Sequence, residues 1–113
     1  MLDIDQRDEG GVAVVKLGGR LDVLTCKDLG LKLEEDAEVG MTRIVLDLSG
    51  LDYVSSAGLR VLLQARKTLK PMGGTLALAA ANEFVKDVMQ TTGFNTIFPF
   101  HDTVDEAVAA LKA

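Results

Sequence analysis

The sequence predicts an α/β fold, a single domain over residues 1–113 with a mixed, mostly parallel sheet of about five strands and about four helices. Three observations lead there. The chain has 113 residues, 48% of them apolar, and no proline-rich linker, repeat or low-complexity block divides it. From residue 12 onward, strand-like and helix-like patterns alternate, which calls for parallel strands joined by right-handed crossovers. Ahead of them, Leu2–Asp5 and part of Val12–Leu17 alternate apolar with polar residues around the turn residues Asp8-Glu9-Gly10-Gly11, so an antiparallel hairpin is expected at one edge. The helices are expected to gather on one face of the sheet.

Each later element has its own signal. Thr25 is placed as the N-cap of a helix reaching about Glu38, because Asp28 lies in the first turn at the positive end of the dipole and Leu29 and Leu33 follow four apart. Arg43–Leu48 is β-branched and apolar enough for a buried strand, with Ser49-Gly50 as its break. From Ser56, Leu59, Leu62, Leu63, Arg66 and Leu69 fall on one side of a helix and Arg60, Gln64 and Lys67 mostly on the other. Pro71 and Gly73-Gly74 end it, and Thr75–Ala79 reads as another buried strand. Asn82 caps a short helix through Met89, stopped by Gly93, and Thr96–Phe98 is expected as a short edge strand limited by Pro99. Thr103 and Glu106 form a capping box for a terminal helix with Val104, Val108 and Leu111 on one face.

Composition narrows the function. Seventeen acidic against twelve basic residues give a formal charge of -5, which opposes attraction to a phosphate backbone, so direct nucleic-acid binding is not expected. Cys26 has no second cysteine to pair with and His101 is the lone histidine, so neither a disulfide nor a zinc site is expected, and a reducing cytoplasm is the simplest location. Met1–Asp5 has no basic start or apolar core, and the longest apolar run, Leu76–Ala81, is too short to span a bilayer, so neither a secretory leader nor a membrane anchor is expected.

Catalytic constellations are thin. No phosphate-binding glycine loop is present, and Gly18-Gly19 lacks the third glycine of a dinucleotide fingerprint, so no cofactor is expected. Nothing in the spacing places Cys26 beside His101 as nucleophile and base. Asp47 ends a buried strand as in phosphoaspartate receiver domains, but the acidic pair and lysine that would complete such a site are missing. Asp47 and Asp52 are read as carboxylates bonding nearby backbone donors, and an enzyme is not expected.

The informative segment is Val45–Leu59, which puts Ser55 and Ser56 where a helix begins. The first N–H groups of a helix lack internal partners and carry the positive end of its dipole, so a phosphate on Ser56 could be received without unfolding the helix. On spacing alone, Ser55 can equally be a plain N-cap with Ser56 in the first turn.

The run Leu46-Asp47-Leu48-Ser49 through Ser55-Ser56-Ala57-Gly58-Leu59 resembles the signature of the STAS domain, and specifically of bacterial anti-sigma factor antagonists. Gly19-Arg20-Leu21-Asp22-Val23-Leu24-Thr25 is similar to the family's Gly-x-Leu-Asp stretch. Gly93-Phe94, Phe98-Pro99-Phe100 and Thr103–Ala107 are similar to its closing strand and helix. The resemblance implies that Ser56 is a phosphoacceptor, with Ser55 a competing site, since Ser55 stands where the family has aspartate and Ala57 where it has a second hydroxyl. It implies a partner-switching module that binds an anti-sigma factor serine kinase when unphosphorylated, is restored by a serine phosphatase, and thereby regulates sigma-factor-dependent transcription. The expected contact surface is Asp22, Thr25, Ser55, Ser56, Gly58 and Arg60. Asp22 can also be a loop carboxylate turned back on Thr25, and Arg60 a solvated helix residue. The family offers one alternative, an unphosphorylated subunit of a lipid-transport complex.

Overall fold

In the computed structural model, residues 1–112 are described. Strands β1 (Leu2–Glu9), β2 (Val12–Leu21), β3 (Arg43–Val54), β4 (Thr75–Ala79) and β5 (Phe100–His101) form one sheet in the order β1-β2-β3-β4-β5. β1 pairs antiparallel with β2 as the expected hairpin, and the other pairs are parallel. Helices α1 (Cys26–Glu38), α2 (Ser56–Leu69) and α3 (Glu83–Thr92) are the crossovers, α4 (Phe94–Ile97) is one short turn, and α5 (Val104–Lys112) closes the described chain.

The parallel strands are laid down in one direction across the sheet, so right-handed crossovers must drop α1, α2 and α3 on the same face. The period-2 alternation of the strands shows it. Ala13, Val15, Leu17, Ile44, Leu46, Leu76 and Leu78 point toward Leu29, Leu33, Leu62, Val85 and Met89 in the main core. The intervening residues Val12, Val14, Val45, Ala77 and Ala79 form a second cluster with Ala107 and Val108 of α5. The expectation that all helices share a face is therefore corrected. The apolar stripe of α5 covers the opposite face, where the alanines of β4 let it approach closely.

Two further elements differ from expectation. β3 does not stop at Leu48 but runs through Ser49-Gly50 to Val54. Its register against β2 shifts between Lys16 and Gly18 and again between Gly19 and Arg20, the marks of bulges that absorb these residues and bend the strand. Asp47 is buried, and its Oδ1 accepts the Ser49 N–H at 3.0 Å inside the first irregularity. Gly50 passes so close to β2 that a Cβ would lie 3.0 Å from Leu17 O, so the glycine marks close backbone approach rather than a break.

The edge strand expected at Thr96–Phe98 is instead helical through Ile97, and the strand lies beyond Pro99. Gly93 takes a left-handed φ of 78° that ends α3, and its carbonyl then accepts from both Thr96 N and Thr96 Oγ1, at 3.1 and 2.7 Å. Proline has no N–H to give a ladder, but its carbonyl accepts from Leu78 N at 2.9 Å and leads into β5. The Thr103–Glu106 box forms, with Glu106 N donating to Thr103 Oγ1 at 3.1 Å.

Gly30 sits inside α1, where glycine is a weak helix former, and a Cβ there would meet only Val61 Cγ1 at 3.7 Å, an ordinary contact. Gly30→Ala should therefore stabilise the chain by about 0.5–1 kcal/mol, read as a raised midpoint in urea or thermal unfolding.

Candidate functional site

Ser55 and Ser56 stand at the carboxyl-terminal rim of the sheet, where β3 turns into α2. The corner is fixed by β2: Ser55 N donates to Leu21 O at 2.9 Å, and Leu21 is in register with Val54. Ser55 is extended and acts as the N-cap, its Oγ accepting from Gly58 N at 3.2 Å. Ser56 occupies the first helical position, is exposed, and its hydroxyl has no hydrogen bond among the described residues. The two serines are thus unequal. One hydroxyl is half-buried and engaged, while the other is free at the positive end of a fourteen-residue helix.

Gly58 is buried, which corrects its expected place on the contact surface. A Cβ there would lie 2.8 Å from Leu21 Cγ and 3.0 Å from Leu21 O, so the missing side chain lets the first turn of α2 rest directly on the end of β2. Thr25 is the N-cap residue of α1, as expected, but its hydroxyl is turned elsewhere. It holds the N-cap position of α1 without a capping bond, and at 8% exposure it is nearly buried. Its Oγ1 faces back instead, accepting from Asp22 N at 2.9 Å while its single proton is shared between Arg20 O at 2.7 Å and Asp22 Oδ1 at 3.2 Å.

Asp22 answers from the other side, Oδ1 accepting from Leu24 N at 3.0 Å and Thr25 N at 3.1 Å. Desolvation pushes this carboxyl up, but the bonds from Leu24, Thr25 N–H and the Thr25 hydroxyl outweigh it and hold it below the ordinary 3.8. The reading of Asp22 as a carboxylate turned back on Thr25 is the geometry seen. Its Oδ2 lies 3.6 Å from Arg20 Nε.

This bracing holds two large apolar side chains in water: Val23 is 72% and Leu24 85% exposed. They were not among the residues expected at the site. The signal for them was an apolar pair inside a tight strand-to-helix turn, where polar residues are the rule. Beside them the Arg20 guanidinium lies 4.2 Å from the Tyr53 ring centroid, and Tyr53 stacks on the half-exposed Phe84 of α3 at 6.3 Å and 18°. Asn82 ties α3 to the same rim, accepting from Val85 N and donating to Leu51 O, both at 2.9 Å. Arg60 is exposed on α2.

The arrangement has the parts of a recognition rim, with a free hydroxyl at a helix start beside a rigid apolar knuckle. Among the described residues, no cluster of three or more His, Cys, Asp or Glu could hold a metal, and no helix is long and apolar enough to cross a membrane.

The STAS domain model matches residues 3–107, and the chain belongs to that family, among the proteins named as anti-sigma factor antagonists. BtrV of Bordetella bronchiseptica, which carries that name, is 37% identical over 111 residues, covering 98% of this chain and 94% of that protein. The crystal structure of an anti-sigma factor antagonist from Mycobacterium paratuberculosis superposes with a TM-score of 0.91 at 25% identity, covering 100% of this chain and 96% of that one. The unphosphorylated and phosphorylated forms of the antagonist SpoIIAA share the fold, with TM-scores of 0.76 and 0.75 at 19% and 20% identity, over 98% and 96% of this chain and 99% of each of theirs.

Two measurements check this geometry. Gly58→Ala should destabilise the chain by roughly 1–3 kcal/mol in spite of alanine's better helix propensity, because one of the obstacles is backbone. By NMR titration, Asp22 should ionise below 3.8, and Thr25→Val should move it back upward. A depressed carboxylate contributes stability above its unfolded pKa and loses it as pH falls through the folded value, so acid should loosen the Asp22–Thr25 turn from about pH 3.8 downward.

Proposed function

We propose that this chain is a phosphorylation-controlled anti-sigma factor antagonist. Unmodified, it docks its Ser56 rim on an anti-sigma factor that is also a serine kinase, and so frees a sigma factor. Phosphorylated on Ser56, it lets go, and a serine phosphatase restores it. The cytoplasm is where such partners reside. The observation that carries the reading is the exposed, unbonded hydroxyl of Ser56, against the capped hydroxyl of Ser55. The names of the relatives support the partner class.

The docking surface we assign is Ser56, Asp22 and Arg60, with Val23 and Leu24 as its apolar centre. Ser55, Thr25 and Gly58 shape it from beneath. Exposed aliphatic side chains on a braced turn lose little freedom on binding, which makes them efficient anchors. A phosphate adds about -1.5 to -2 charges to a contact that otherwise meets a neutral hydroxyl. A cost of about 3 kcal/mol for desolvating it, or for setting it against partner carboxylates, is enough for a hundredfold loss of affinity.

Ser56→Ala should keep binding to the anti-sigma partner and abolish phosphorylation, while Ser56→Asp should bind more weakly, though less so than the phosphoprotein because a carboxylate carries less charge. A pull-down with a kinase assay reads both. Equal retention of the two variants would remove the charge gate. Phosphate appearing on Ser55 instead would move it by one residue. Absence of phosphoserine with every candidate kinase would leave the lipid-transport subunit as the better reading.

A further inference from the structure

At the rim of the sheet opposite Ser56, a half-open recess of about 200 Å³ lies between the end of α2, the start of β4 and the turn that leads into β5. Arg66 and Lys70 line it, with Leu76, Ile97 and Pro99, and no acidic side chain does. We propose that this recess binds inorganic hydrogen phosphate, a site separate from the Ser56 rim and independent of the function assigned to it.

The backbone of β4 comes first, because it leaves one residue unpaired there. Thr75 N donates to Thr42 O on the β3 side at 2.9 Å, whereas Leu78 N and Ala80 N donate to Pro99 O and His101 O on the β5 side, at 2.9 and 3.1 Å. Alternation along the strand therefore turns the N–H and C=O of Leu76 toward the β5 side as well, ahead of the point where pairing with β5 begins. The Leu76 N–H has no acceptor among the described residues. Its C=O falls where the next ladder bond would come from Pro99, which has no N–H to give. The recess thus presents an unpaired backbone donor beside an unpaired acceptor.

Charge then selects the ligand. Arg66 and Lys70 are four residues apart, so they share one side of the helix end, and neither has an acidic partner within 4 Å among the described residues. Nor are they needed to neutralise the last carbonyls of α2. Arg66 O accepts from Lys70 N, Leu69 O from Gly74 N at 2.9 Å and Lys70 O from Gly73 N at 3.1 Å. Two positive charges, one free N–H and one free C=O match an anion of about two charges that also carries a proton. Hydrogen phosphate is such an anion, since its oxygens accept from Arg66, Lys70 and Leu76 N–H while its hydroxyl donates to Leu76 O. A carboxylate brings one charge and no proton, and sulfate brings two charges and no proton, so either would leave Leu76 O facing an anion.

The test is an amide NMR titration of the full chain at about pH 7.5 and fixed ionic strength, with inorganic phosphate, methyl phosphate and sulfate. A phosphate monoester has lost its last proton under these conditions, while inorganic phosphate keeps one. Inorganic phosphate should shift the Leu76 amide saturably and bind about tenfold more tightly than the other two anions. Arg66→Gln and Lys70→Gln should each weaken it by about threefold, the factor expected of a partly exposed charge, with Lys67→Gln, outside the recess, leaving it unchanged. A Leu76 amide that does not move, or unaltered binding by both recess variants, would overturn the site. Equal weakening by Lys67→Gln and Lys70→Gln would overturn it too, by tracing the binding to diffuse surface charge. Methyl phosphate or sulfate binding as tightly as inorganic phosphate would overturn the assignment to hydrogen phosphate.

Discussion

The contact on which the functional corner depends is the seating of the first turn of α2 on the last residue of β2. Leu21 offers its carbonyl to Ser55 N–H and its side chain to the bare Cα of Gly58, so the end of one strand fixes the start of the next crossover helix. The same Leu21 immediately precedes Asp22, and the Asp22–Thr25 turn is in turn braced by five short bonds. Two loops distant in sequence are thereby held as one rigid edge. The bulges of β3 serve the same end, because they let a strand that contains Ser49-Gly50 stay paired as far as Val54 and deliver Ser55 at the height of Leu21.

Rigidity here has an energetic consequence. A surface that must be ordered on docking loses affinity to entropy, and one already fixed does not. The Asp22 carboxylate, kept ionised by its backbone donors, is an acidic feature of the rim and satisfies the loop from within. On the function proposed above, phosphate added at Ser56 would join a rim where the Asp22 carboxylate already lies 3.6 Å from Arg20 Nε, on a chain of formal charge -5. Under that proposal its effect on a partner would be local, through desolvation and like-charge contact, without a second conformation of the fold.

Much of this was legible in the residues. The hairpin, three crossover helices and the capping residues Ser55, Asn82 and Thr103 follow from period and cap chemistry, and the Ser55-Ser56 corner from its place between strand and helix. What was illegible depended on neighbours. Gly50 reads as a break until β2 is seen pressing against it, and Gly58 reads as part of the contact surface until Leu21 is seen packed against it. Thr25 has the composition of a cap, yet Arg20 O and Asp22 compete for its hydroxyl and win. The turn at Phe94–Ile97 turns on the Gly93 carbonyl and on Phe94 packing against Phe98 at 5.6 Å, contacts that β-propensity does not weigh.

The placement of α5 shows the same division between pattern and context. Its apolar stripe is plain in Val104, Val108 and Leu111, but a stripe does not say which face of a sheet it covers. That is decided by the strands. Val12, Val14, Val45, Ala77 and Ala79 are apolar on the side opposite the crossover helices, and a parallel sheet apolar on both faces must be covered on both. With β5 ending at the sheet's edge and three crossovers occupying one face, the remaining helix has only the other to bury. The near-continuous apolar runs of β3 and β4 therefore carry the information about α5 that α5 itself lacks.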